Sequence, residues 1–190
     1  MAWGLMAVVK SVPVIGIDAA LRATGLGLID ADRTCSRRVA FPKGLHRDRL
    51  YDFAVEQLEM FLGKIRPWVA AVEYPPETIR KDQRGKDGKK KPIKYEGATL
   101  GFASATWAAA CRALGIQRVY TVEVRVWRDS LIRPFKGRAG AKIAARARAE
   151  KLCRRWGAPR PRNHDEAEAL CIAEWGDCVH RGIIVPEGRR

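Results

Sequence analysis

Val14-Ile15-Gly16-Ile17-Asp18, continued by Ala19-Ala20-Leu21-Arg22-Ala23-Thr24-Gly25-Leu26-Gly27-Leu28-Ile29-Asp30, decides how the rest of the chain is read. An apolar run that ends in a carboxylate predicts a buried strand delivering one acid to a sheet edge or cleft. The Thr24-Gly25 pair opens a second apolar run, residues 26–29, at a spacing that suits a tight strand-turn-strand connection. Taken alone, Asp18 reads equally well as a turn cap, because Asp favours turns through local hydrogen bonds. The choice between those readings rests on whether other carboxylates are placed to meet it.

At 190 residues the chain fits one domain and can bury a proper core. Its 36 Lys and Arg against 21 Asp and Glu give a formal charge of +15, which calls for a polyanionic partner, nucleic acid or an anionic membrane face. No apolar run approaches the ~18 residues of a membrane span, so no membrane-spanning segment is expected. Residues 1–11 are read as a flexible N-terminal extension; residues 1–9 are apolar but lack the basic start and small-residue cleavage site of a signal peptide. Cys35, Cys111, Cys153, Cys171 and Cys178 are odd in number and form no C-x-x-C pair. That pattern points away from zinc and disulfides and toward a reducing, cytoplasmic setting.

Residues 37–41 predict a third strand ended by Pro42, and three short strands in succession predict an antiparallel meander. Leu50, Phe53, Ala54, Gln57, Leu58, Phe61, Leu62 and Ile65 recur at helical spacing. Residues 68–74 then form a second buried strand that finishes in an acid, Glu73, before Pro75-Pro76. Residues 77–97 change character: Arg80, Lys81, Arg84, Lys86, Lys89, Lys90, Lys91 and Lys94 crowd among glycines with little to bury. This stretch is read as a mobile basic loop that contacts DNA phosphates, with a merely solvated loop as the alternative.

An Ala-rich helix over 98–114 with a glycine stop at Gly115, a strand over 118–124, and a short segment carrying Trp127 and Arg128 follow. After a basic turn at 136–140, a helix over 141–156 presents an Ala141, Ala145, Ala149, Leu152, Trp156 stripe. Arg138, Lys142 and Arg146 line up one turn apart on another side, a second candidate phosphate-contacting set. Residues 157–163 are a proline-containing linker, a last helix starts near His164, and the tail over 183–190 is weakly structured.

In that last helix Asp165 and Glu168 share a face, whereas Glu166 lies about 100° away. Acids in a first turn also serve the helix dipole without any chemistry. The chain nevertheless supplies two strand-terminal acids, Asp18 and Glu73, and a helical pair, Asp165 and Glu168. Hard oxygens held together repel unless cations compensate, and such a group suits Mg²⁺ or Mn²⁺. Two such ions would activate a water and stabilise the leaving oxygen of a phosphoryl displacement.

Ile15-Gly16-Ile17-Asp18 with Thr24-Gly25, then Val72-Glu73, then residues 164–170 (HDEAEAL), resembles the RuvC family of Holliday junction resolvases, most closely its small bacteriophage-borne versions. The resemblance spans residues 12–180 and implies a RuvC-like nuclease domain over 12–182. The implied fold is α/β and RNase H-like, a mixed five-stranded sheet of three antiparallel and then two parallel strands, flanked by helices. It implies Asp18, Glu73, Asp165 and Glu168 as ligands of two metal ions per active site. It also implies a homodimer that nicks opposed strands of a four-way junction, leaving 5′-phosphate and 3′-hydroxyl ends, in a bacterial or phage-infected cell.

Ala19-Ala20 stands where cellular members carry Pro-Gly, the fourth acid is Glu rather than Asp, and the basic loop is long. His164, beside Asp165, is a candidate for positioning the water or moving a proton, with helix capping as the alternative. Tyr74 and Trp127 are candidates for base stacking, with core packing the expected role. Two other functions fit the same residues: an RNase H-like nuclease acting on RNA or an RNA–DNA hybrid, and a DNA-junction-binding protein without catalysis. A pure binder gains nothing from a buried anionic cluster.

Overall fold

A computed structural model of the protein describes residues 12–20, 22–31, 33–75 and 96–185. Among the described residues, five strands form one mixed sheet in the order β3-β2-β1-β4-β5. β1 (Val14–Asp18), β2 (Ala23–Ile29) and β3 (Thr34–Ala40) are successive antiparallel neighbours. β4 (Val69–Tyr74) joins β1 in parallel and β5 (Arg118–Glu123) joins β4 in parallel. The described helices are α1 (Leu50–Leu62), α2 (Glu96–Ala113), α3 (Val124–Leu131), α4 (Gly137–Arg155) and α5 (His164–His180). This is the mixed α/β architecture expected from the sequence.

The two-residue period of a strand sends alternate side chains to opposite faces, and here it separates two cores. Ile15, Ile17, Leu26, Leu28, Ala70 and Val72 pack against Ala54 and Leu58 of α1 and Trp107 and Cys111 of α2. Val14, Ile29, Val69 and Ala71 pack on the other face with Ala145 and Ala149 of α4 and Leu170 and Ile172 of α5. Each large side chain removed from water in this way contributes roughly 1.5–3 kcal/mol.

α5 lies almost on the backbone of β1 and β2, and glycine makes that possible. A Cβ on Gly16 would fall 2.1 Å from the Ala169 carbonyl oxygen, and one on Gly25 would fall 2.1 Å from that of Asp165. Gly27 is closed off in the same way by Leu170 N at 2.6 Å. The Thr24-Gly25 pair, which opens the second apolar run, lies inside β2. Its glycine is selected by the helix overhead rather than by a bend.

Other boundaries move for equally local reasons. β3 begins at Thr34, because its antiparallel register with β2 runs from Ile29↔Thr34 to Ala23↔Ala40. The basic turn at 136–140 is the start of α4, with Gly137 at a positive φ of 63°. The segment around Trp127 is helical and starts directly at the end of β5. Gly115, at φ 79°, stops the chain just beyond α2 as read from the sequence. The extension over 1–11, loop residues 77–95 and tail residues 186–190 lie outside the described residues, and Glu96 and Gly97 open α2. Among the described residues no helix is long and apolar enough to cross a membrane.

Candidate active site

The site is a row that crosses the sheet. Arg38 of β3 pairs in register with Gly25 of β2, and Gly25 pairs with Asp18 of β1. Gly16↔Ala71 and Ile17↔Val72 are the last parallel pairs of β1 with β4, so one further step sets Asp18 beside Glu73. Glu73 in turn pairs with Val122 of β5. Because Gly16 and Ala71 face α5, so do Asp18 and Glu73, two residues further along their strands. The first turns of α5 cover this row, with the Asp165 carbonyl directly above Gly25.

Burial and mutual charge then set the protonation of the strand acids. Asp18 is 8% exposed and accepts no hydrogen bond among the described residues. Its carboxyl is pushed well above the usual carboxylate range, first by burial, then by the charges of Glu73, Glu168 and Asp165, with Arg128 opposing. Glu73 is raised to about 7, first by burial; the Trp127 indole opposes by donating Nε1–H to its Oε2 at 2.8 Å. Glu168 adds to that rise and Arg128 counters it. The four acids thus share one electrostatic field.

Two arginines balance the helical pair. Arg38 Nε donates to Asp165 Oδ2 at 2.7 Å, and Arg128, largely buried, donates to Glu168 Oε1. Among the described residues no three His, Cys, Asp or Glu side chains are arranged so as to hold a metal ion. By chemistry alone, four carboxylates suit a hard divalent cation, and the buried Asp18 carboxyl has no hydrogen-bond partner among the described residues.

No protein-family model and no curated protein matches this chain by sequence. Solved structures do match by shape. Thermus thermophilus RuvC aligns over 90% of this chain and 96% of its own, with TM-score 0.57 and 18% identity. The T. thermophilus RuvC in complex with a Holliday junction substrate aligns over the same shares, with TM-score 0.56 and 19% identity. The chain has the RuvC fold. Its sheet order and helical layers are those of the RNase H-like class.

Within that RuvC fold, Asp18 lies within the electrostatic reach of Glu73, Glu168 and Asp165. Glu166 faces away and is structural: its carboxylate accepts from Arg162 N at 2.8 Å, Asn163 Nδ2 at 3.1 Å and Ser36 Oγ at 3.3 Å. Its own N–H donates to Asn163 Oδ1 at 3.0 Å, so Asn163 and Glu166 close the helix start reciprocally. His164 opens α5 beside Asp165, and its buried Nδ1 has no partner among the described residues. Trp127 is fully buried, which removes it as a base-stacking platform; it holds Glu73 instead. Arg138, Lys142 and Arg146 lie on α4, and Arg146 pairs with Glu150. Arg80, Lys81, Arg84, Lys86, Lys89, Lys90, Lys91 and Lys94 lie outside the described residues.

Sequence reasoning passed over Arg38 and Arg128. No local pattern marks either residue, since each is defined by an acid far away in sequence. The register of β3 against β2 was the one signal that could have found Arg38.

Proposed function

We propose that the protein is a metal-dependent DNA endonuclease that resolves four-way junctions, acting as a homodimer that makes one nick per subunit. The observation that carries this reading is the row Gly25-Asp18-Glu73 lying under Asp165 and Glu168 in a RuvC fold. Asp18, Glu73, Asp165 and Glu168 would hold Mg²⁺ or Mn²⁺, two ions per site. When bound, these supply an activated water and charge neutralisation at the leaving 3′ oxygen. Trp127 holds Glu73 by donating to its Oε2, and Arg128 offsets the negative field around Glu73 and Asp18. A formal charge of +15 draws DNA to a site that bare acids would repel. His164 stands next to the acids at the helix start, where it can take or give a proton near the scissile phosphate.

The test is cleavage of four-way, three-way and linear duplex DNA and of an RNA–DNA hybrid, in Mg²⁺, Mn²⁺ or EDTA. Metal-dependent cutting confined to branched DNA is the expected result. Cutting of the hybrid alone would move the chain to an RNase H-like activity, and binding without any cutting would make it a junction binder. Asp18→Asn is expected to abolish cutting while leaving junction affinity within about twofold. Equal cleavage by mutant and parent would remove Asp18 from the chemistry.

A further inference from the structure

A second feature lies at the free edge of β3, the last strand in the sheet order. There a cavity of about 410 Å³ is lined by Arg33, Arg37, Arg38, Arg160, Arg162 and Phe61, among others. Strand alternation explains its shape. Arg37, opposite Leu26, is directed to the α1 side, whereas Arg38, opposite Gly25, is directed to the α5 side. The cavity therefore wraps the strand edge, with Phe61 of α1 on one flank and the 157–163 linker on the other. Glu166 fixes those walls by accepting from Ser36 Oγ of β3 and from the backbone N–H of Arg162.

The charge in this cleft is only partly matched. Arg38 is neutralised by Asp165, and the Arg33 charge acts on the Cys35 thiol. Glu166 also lines the cleft, but its oxygens are engaged by the hydrogen bonds just described. Arg37, Arg160 and Arg162 are exposed and form no ion pair among the described residues. Arginine at a sheet edge also discourages edge-to-edge aggregation. That role needs neither a concave site nor two further arginines on a separate linker. Guanidinium forks and an apolar ring lining one cleft suit phosphate oxygens together with the sugar between them.

We propose that this cleft binds a stretch of DNA sugar–phosphate backbone, guiding a strand toward or away from Asp165 through Arg38. The proposal rests on the reading of the chain as a DNA nuclease. Fluorescence anisotropy of a labelled four-way junction and a linear duplex, in EDTA and across a salt series, tests it. Removing three phosphate contacts in Arg37→Gln/Arg160→Gln/Arg162→Gln should lower the slope of log K against log[salt] by about 2–3. The same loss corresponds to roughly hundredfold weaker binding at about 0.15 M salt. The corresponding triple change to Lys should keep most of the slope.

Arg181→Gln, about 24 Å along α5 from Asp165, is the control and should leave the slope unchanged. An unchanged slope in the Gln triple, or an equal loss in Arg181→Gln, overturns the cleft while leaving the nuclease reading standing. A parent that binds no DNA overturns both. Should the triple variant melt early, Arg160→Gln and Arg162→Gln are read singly, each expected to lower the slope by about 0.9.

Discussion

Asp18 and Glu73 are held where water would otherwise stabilise their charge, and this has a consequence for stability. Glu73 titrates at about 7 in the folded chain against an ordinary 4.5, and Asp18 is raised as well. Between those values the folded state keeps a proton that the unfolded state releases. Stability is therefore free of this penalty below about 4.5 and declines as pH rises toward 7. For Glu73 alone the loss is on the order of 3 kcal/mol. Thermal melts of the metal-free protein should show a lower Tm at pH 8 than at pH 5. Mg²⁺, which favours deprotonated ligands, should raise Tm more at pH 8 than at pH 5. An equal Mg²⁺ shift at both pH values would show that the acids do not gather a cation. The acids were legible in the sequence because each ends an apolar run or opens a helix. Arg38 and Arg128 were not, because pairing across 127 and 40 residues has no local trace.

At the scale of elements, the seam between α5 and the β1–β2 pair sets the geometry of the site. Gly25→Ala would drive a Cβ to 2.1 Å from the Asp165 carbonyl, so either α5 lifts or β2 bends. The expected cost is about 3 kcal/mol, the upper end for overpacking, because backbone cannot swing aside. Cleavage should also fall at temperatures well below the variant's own Tm, since Asp165 moves with the helix. Gly140→Ala makes a matched comparison: its nearest contact is Phe135 Cβ at 3.8 Å, and a gain of about 0.5–1 kcal/mol is expected. A Gly25→Ala protein as stable and active as the parent would mean that the seam is looser than described. The sequence announced glycines here but not their purpose. Turn composition and close helix approach leave the same residue type behind, and only the partner tells them apart.

Across the whole molecule, hydrophobic periodicity was enough to place five strands and the helices between them. The exceptions were α3 and the first turn of α4, where charged and glycine-rich stretches mask a helical backbone. Lys89, Lys90 and Lys91, which contribute to the net charge of +15, lie in the stretch outside the described residues. Neutralising those three to Gln should weaken DNA binding for every substrate and flatten its salt dependence. An unchanged slope would leave the stretch without a part in binding.

One further consequence comes from where the two acid-bound arginines are anchored. Arg38 belongs to β3 at one margin of the sheet, and Arg128 belongs to α3, which continues from β5 at the opposite margin. Both are tied to the same helical turn, through Asp165 and Glu168. That turn, four residues of α5, is therefore a cross-brace between the two margins of the sheet.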